Sequence, residues 1–299
     1  LAIQGGVILN GASRLKNVKI ETSQIEAVSA VVYRAGVLLL RGQAKVSWML
    51  KKDGTFVTAL DLRTQKLIEA KMRRIFPEYA FIGEEDPRSW ARAFKPQCRI
   101  IVDPIDGTGP FARGLNYFGI SLAVIDESHL PLLTIMHLPG LAKWCVASFE
   151  NQVAIRHRIT RRGNSVRISK HEMSPPMRMD WRIEDSFTYL GSDAHQQLDL
   201  TGYPGKIRAL GSTVAHLVLL ADRTLDPAAV ILTRYRIWDV AAGLALALAN
   251  GLEVRNLTAG TDMQLGEIFA RVTQVPPALM VGHPKVLRAL ARYVRVRGG

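Results

Sequence analysis

Arg99-Ile100-Ile101-Val102-Asp103-Pro104-Ile105-Asp106-Gly107-Thr108 decides the reading of this chain. The apolar run Arg99 to Val102 predicts a buried strand. The strand is expected to stop at Pro104, which has no N–H to give to a ladder. Asp103 and Asp106 then crowd one tight turn, and crowded carboxylates need a counter-charge. A hard divalent cation with oxygen ligands answers that need. Gly107 lets backbone approach a ligand closely, and Thr108 adds a hydroxyl where turn N–H groups could hold an anion. Taken alone, Asp106-Gly107 reads as an ordinary turn.

Two distant stretches add to this one: Ile82-Gly83-Glu84-Glu85 and Trp238-Asp239-Val240-Ala241-Ala242-Gly243. A further piece is Val57-Thr58-Ala59-Leu60-Asp61. Together, in this order and spacing, they resemble the inositol monophosphatase superfamily of Mg²⁺-dependent, lithium-sensitive phosphomonoesterases. The resemblance covers residues 25 to 295. It implies a layered αβαβα sandwich of the sugar-phosphatase type, an α/β (α+β) fold. A half comprising residues 1–175 would carry the metal-binding turn, and a half comprising 176–299 the last acidic ligand. It further implies that Glu84 and Asp103 hold one Mg²⁺ with the Ile105 carbonyl, and that Asp103, Asp106 and Asp239 hold a second. Glu85 would help a third site or stand behind the first. Thr108, oriented by Asp61, would position and help deprotonate water alongside Glu84. The turn formed by Asp106, Gly107 and Thr108 would bind phosphate. A homodimer is the family habit.

The departures are as informative. Inositol-selective members carry a substrate-binding Glu seven residues before the final Asp, where this chain has Leu232. The Asn they commonly place after the turn is Pro110 here. Arg234 or Arg236 could face a second anionic group, as a bisphosphate requires. The expected activity is phosphomonoester hydrolysis on an inositol or sugar phosphate. A 3′(2′),5′-bisphosphate nucleotide and histidinol phosphate are the alternatives.

Composition bounds the rest. The 299 residues, 48% of them hydrophobic, can bury a sizeable core. No apolar run of about 18 residues stands out as a membrane span. Cys98 and Cys145 form no ligand cluster and read as small core residues in a reducing, cytoplasmic setting. The chain begins at Leu1 with no basic-then-apolar leader, and reads as a trimmed or fragmentary start. No P-loop, G-x-S-x-G or HExxH occurs, and nothing ties His157, His195 or His216 to a catalytic partner.

The net charge is +13. It reads as a basic surface, as steering of anionic substrates, or as affinity for phosphate backbones. A nucleic-acid-binding protein with a vestigial metal site is therefore the reading from a different class. Arg156 to His171 holds six Lys and Arg around Gly163-Asn164 and predicts a solvated hairpin, with an anionic partner site as the sharper alternative.

Helices are expected from Ser23 (with Glu26 as a capping box) to Gly42, and from Thr58 and Asp61 to Phe76, with Leu62, Leu67, Ile68, Met72 and Ile75 facing inward. Further helices are expected at Thr213 to Ala221, from Asp239 to Asn250, and from Pro284 to Arg297. Lys45 to Gly54 predicts a basic loop, and Pro175-Pro176 a break between halves.

Overall fold

The computed structural model describes residues 19–50, 56–90, 97–150, 153–162, 165–171, 181–222, 227–263, 265–269 and 277–297. Lys51, Lys52 and Pro175-Pro176 lie outside them.

The chain opens with α1 (Thr22–Gln43), whose Ile25, Val28, Val32, Ala35 and Leu39 recur at helical spacing and are buried. Its N-cap is Glu21, whose N–H donates to Gln24 Oε1 at 3.0 Å, not the expected Ser23. Glu26 is engaged elsewhere, accepting from the Ile168 N–H at 3.3 Å. By length and composition α1 is the one described helix that could cross a membrane, which the reading of apolar runs did not anticipate. Its apolar stripe is nevertheless consumed in the core.

β1 (Trp48–Leu50) pairs antiparallel with β2 (Phe56–Thr58), which leads into α2 (Ala59–Ile75). Thr58 caps α2, accepting from the Leu60 N–H at 3.1 Å. The inward face of α2 carries Asp61, Thr64, Gln65, Ile68 and Met72, while Leu62 points out at 45% exposure. Tertiary need displaces hydrophobicity here, because the inner face of α2 supplies polar groups to the site.

β3 (Ala80–Gly83) is followed by the short α3 (Pro87–Trp90) and then β4 (Arg99–Asp106), which runs parallel to β3. After α4 (Thr108–Ala112) the chain meanders antiparallel through β5 (Gly119–Ile125), β6 (Pro131–Leu138), β7 (Lys143–Glu150), β8 (Val153–Arg162) and β9 (Ser165–His171). These seven strands form one sheet in chain order. β10 (Phe187–Leu190), α5 (Ala194–Gln197), β11 (Leu198–Asp199), β12 (Lys206–Arg208), α6 (Thr213–Asp222), β13 (Ala229–Leu232) and α7 (Ile237–Ala249) follow. β14 (Glu253–Asn256), α8 (Leu265–Phe269), β15 (Leu279–Gly282), α9 (Pro284–Leu290) and β16 (Arg295–Val296) complete the described chain. The second sheet is five-stranded, ordered β12-β10-β13-β15-β14.

Three buried clusters define the layering. One lies between the pair α1/α2 and the seven-stranded sheet. A second, centred on α6 and α7, fills the space between the two sheets. The third packs α9 on the outer face of the five-stranded sheet. The order is thus α, β, α, β, α, the expected sandwich. The tail departs from expectation. Its helix ends at Leu290, and Val296 and Arg295 pair with Leu198 and Asp199. Burial of Val294 and that two-residue ladder outweigh the amphipathic pattern.

Candidate active site

In a regular strand, residues three apart face opposite sides. Asp103 and Asp106 do not. β4 pairs Asp103 with Ser121 but Asp106 with Gly119, so three steps on β4 match two on β5. This one-residue bulge turns both carboxylates to one side. Pro104 lies inside the strand rather than ending it, at the interruption, where no N–H is wanted. The Ile105 N–H donates to Asp103 Oδ1 at 2.9 Å and holds that carboxylate in place.

Gly107 follows at φ +85°. A Cβ there would lie 2.8 Å from Ser212 Cβ and 2.9 Å from the Tyr117 carbonyl oxygen. Both backbone conformation and space therefore demand glycine. Thr108 then places its hydroxyl 3.1 Å from Asp61 Oδ1 and 3.0 Å from the Ile105 carbonyl, either of which can accept its hydrogen bond. Asp61 also accepts from the Thr58 N–H at 2.7 Å and the Thr58 hydroxyl at 2.6 Å. The α2 capping box is thus the same structure that aims Asp61 at Thr108.

Asp239 comes from the far half of the chain. It is the third residue of α7 rather than its first, and it accepts from the Arg236 N–H at 2.6 Å. Asp103, Asp106 and Asp239 each bring one carboxylate oxygen within 4.8 Å of the others. Glu84 reaches in from the end of β3 and hydrogen-bonds the Asp103 carboxyl. Trp238 is buried and packs on Trp90 with ring centroids 4.8 Å apart. Trp90 Nε1 donates to the Gly83 carbonyl at 3.0 Å, so this pair ties α7 to the loop carrying Glu84.

The cluster is electrostatically unbalanced. Burial, then repulsion from Glu84, Asp106 and Asp239, lifts Asp103 well above the ordinary carboxylate range. Asp239 is lifted likewise, by burial and then by Asp106 and Glu84. Asp106 is pushed up to about 6 by burial, against the lowering effect of hydrogen bonds from Ser212 and Val214. Burial also raises Asp61. Among the described residues, no Lys or Arg side chain forms an ion pair with any of the three aspartates. Oxygen-only donors, buried and mutually repelling, fit a hard divalent cation.

Two contributors escaped the sequence reading. Ser212 donates its hydroxyl to Asp106 Oδ2, which also accepts from the Val214 N–H at 2.8 Å. Asp106 thereby docks on the first turn of α6, where backbone N–H groups favour a carboxylate. The signal was Gly211-Ser212-Thr213 before an apolar helix, a recognisable cap without a recognisable client. Gln65, in α2, accepts from the Glu85 N–H at 2.8 Å and braces the Glu84 loop.

Other candidates fall outside the site. His216 Nε2 accepts from the Leu210 N–H at 2.9 Å, and its ring stacks on Tyr189. His157 bonds Ser148 at 2.8 Å. Leu232 is buried in β13 and Pro110 abuts Gly211. Arg234 is engaged by Asp193 at 3.1 Å, leaving Arg236 exposed beside Asp239.

The profile of the inositol monophosphatase family matches residues 19–292. The 3′(2′),5′-bisphosphate nucleotidase CysQ of Salmonella typhimurium is 24% identical over 242 residues, 78% of this chain and 90% of that protein. The fructose-1,6-bisphosphatase/inositol-1-monophosphatase of Thermotoga maritima is 28% identical over 229 residues, 73% of this chain and 78% of that protein. A crystal structure of an IMPase/NADP phosphatase complexed with Mg²⁺ and phosphate superimposes with TM-score 0.68. It is 18% identical and covers 91% of this chain and 95% of its own, a likeness of fold. With the profile matched along nearly the whole chain, the protein belongs to the inositol monophosphatase family and is a phosphoric monoester hydrolase.

Proposed function

We propose that the chain hydrolyses the phosphomonoester of a small metabolite of the inositol or sugar phosphate class, with two or three Mg²⁺ ions at the acidic cluster. The observation that carries this is the trio of buried Asp103 and Asp106 with half-buried Asp239 beside the Asp61–Thr108 pair. Glu84, Asp103 and the Ile105 carbonyl would hold one ion, and Asp103, Asp106 and Asp239 another, with Glu85 near a third. When bound, such ions shield the phosphate charge, lower the pKa of water and stabilise the leaving alkoxide.

The chain's own groups do the orienting. Thr108 Oγ–H donates its hydrogen bond to Asp61, leaving its lone pairs to accept from an attacking water. Asp61, raised by burial, is nearer the range of a useful proton acceptor than a solvated carboxylate. The N–H groups of Gly107 and Thr108 would hold phosphate oxygens. The two halves, 1–175 and 176–299, would act as one catalytic unit, in a cytoplasmic homodimer.

A second reading, a 3′(2′),5′-bisphosphate nucleotide, is favoured by one observation. Leu232 is buried and offers no acceptor for sugar hydroxyls, while Arg236 is exposed next to Asp239. Phosphate release from inositol 1-phosphate, fructose 1,6-bisphosphate, 3′-phosphoadenosine 5′-phosphate and histidinol phosphate, with Mg²⁺ and with EDTA, tests both. Release abolished by EDTA is expected. Absence of turnover on every substrate, with Mg²⁺ bound and the protein folded, would overturn the proposal.

The raised carboxyl pKa values set a pH signature. A raised folded-state pKa means the folded metal-free chain holds extra protons. Its stability from these groups is full at low pH and is lost as pH rises through about 6 and above. Mg²⁺ needs the carboxylates ionised, so binding expels protons and tightens with pH. The rise in Tm caused by Mg²⁺ is expected to be larger at pH 8 than at pH 5.5. A Mg²⁺ shift that shrinks with rising pH would show that the cluster is not the binding site.

A further inference from the structure

The residues from Val153 to His171 hold Arg156, Arg158, Arg161, Arg162, Arg167 and Lys170 and no Asp or Glu. Six of the excess positive charges of a +13 chain thus sit in one segment. That segment is the β8–β9 hairpin, at the sheet edge opposite β3.

Position separates it from the chemistry above. β8 is four strands from β4 and β9 is five. At about 4.8 Å per strand that is roughly 19 and 24 Å. The Debye length in physiological salt is about 8 Å. A substrate held at Asp103 therefore gains little from these arginines.

The two faces of the hairpin differ. Val166 is buried and Ile159 and Ile168 are partly buried in the core beneath α1. Arg161 also turns to the α1 side, over the Tyr33 ring at 4.6 Å. Arg158, Thr160, Arg167 and Ser169 are exposed. Arg158 pairs across the ladder with Ser169 and Thr160 with Arg167, so the two arginines are diagonal neighbours on one face. Arg167 also pairs with Glu26 of α1 at 3.4 Å, but its side chain stays 77% exposed against 22% for Glu26, so most of the guanidinium still faces solvent.

The chemistry of this face selects the partner. Guanidinium forks and hydroxyl donors suit phosphate oxygens. No described exposed residue of the hairpin is aromatic, so stacking on unpaired bases has no platform. None is a large apolar group, so insertion into a lipid interface has no anchor. A two-stranded ribbon is also a shape that a duplex groove admits. We propose that the outer face of the β8–β9 hairpin binds the sugar–phosphate backbone of a nucleic-acid duplex, without reading its sequence.

Fluorescence anisotropy of the full chain with a labelled 20-base-pair DNA duplex and its RNA counterpart tests this. Affinity is expected to fall about 10²-fold between 50 and 200 mM salt, as for about four neutralised phosphates. Arg158→Glu with Arg167→Glu is expected to weaken binding at least about 10-fold at 50 mM salt and to flatten the log–log salt slope by about two units. Arg158→Lys with Arg167→Lys should retain most of the binding, and phosphate release should be unchanged in both variants. Duplex binding indifferent to the charge reversal, or no binding at 50 mM salt, overturns the proposal. So does binding to phosphatidylserine vesicles that needs the same arginines while duplexes do not bind.

Discussion

Asp103→Asn is expected to lower phosphate release at least about 10³-fold, roughly 4 kcal/mol of barrier, while making the metal-free protein more stable. The two effects share one cause. Asp103 is 1% exposed and sits among Glu84, Asp106 and Asp239, which together with burial push its pKa well up. A buried carboxyl group crowded by like charges is held in the folded chain at a free-energy cost that a neutral amide removes. A gain in stability is expected, read as a Tm higher by about 2–5 °C in EDTA. The Asn Oδ1 can still accept from the Ile105 N–H, so the turn keeps its shape. Mg²⁺ should raise the Tm of the parent but not of the variant, since only a ligand that binds the folded state stabilises it. Activity within 10-fold of the parent, or a destabilised metal-free variant, would remove Asp103 from the centre of the site.

Thr108→Ala and Asp61→Asn are each expected to lower kcat by about 10²- to 10³-fold, the usual worth of a positioned proton acceptor. KM should change little, and the Mg²⁺-induced rise in Tm should persist. Thr108 Oγ is 3.1 Å from Asp61 Oδ1, and the Ile105 carbonyl offers the hydroxyl a competing acceptor at 3.0 Å. Loss of the carboxylate swings the proton to that carbonyl and misdirects the lone pairs. Asp61→Asn carries a further cost of about 1 kcal/mol in helix capping, because Asp61 Oδ2 also accepts from the Thr58 N–H. The double variant should be no slower than the worse single one, as for residues acting as a unit. Additive losses, or a lost Mg²⁺ response in Thr108→Ala, would contradict the pairing. Thr108→Ser should retain most activity.

Much of this site was legible because each piece carries a local signature. Thr58 with Asp61 is a capping pair three residues apart, and the structure uses it as one. Arg99 to Val102 is an apolar run with no polar alternation, and every residue of β4 is buried. The tail was misread for the same reason. Periodicity is evidence only when packing agrees, and β16 pairs with a strand nearly a hundred residues earlier. Leu62 failed because an apolar residue faces inward only if the inner face wants it. Here that face presents Asp61 and Gln65 to the site.

The sequence by itself determined the strand, the acidic turn, the cap of α2, the chain order of the motifs and the basic hairpin. All of these depend on contacts between near neighbours. Only the tertiary structure decided that a bulge turns Asp103 and Asp106 to one side. It alone brings Asp239 within 4.8 Å of both and docks Asp106 on Ser212 and Val214, more than a hundred residues away. The physical reason is that electrostatic crowding depends on distance through space and on burial. Neither quantity exists until the two sheets close on α6 and α7.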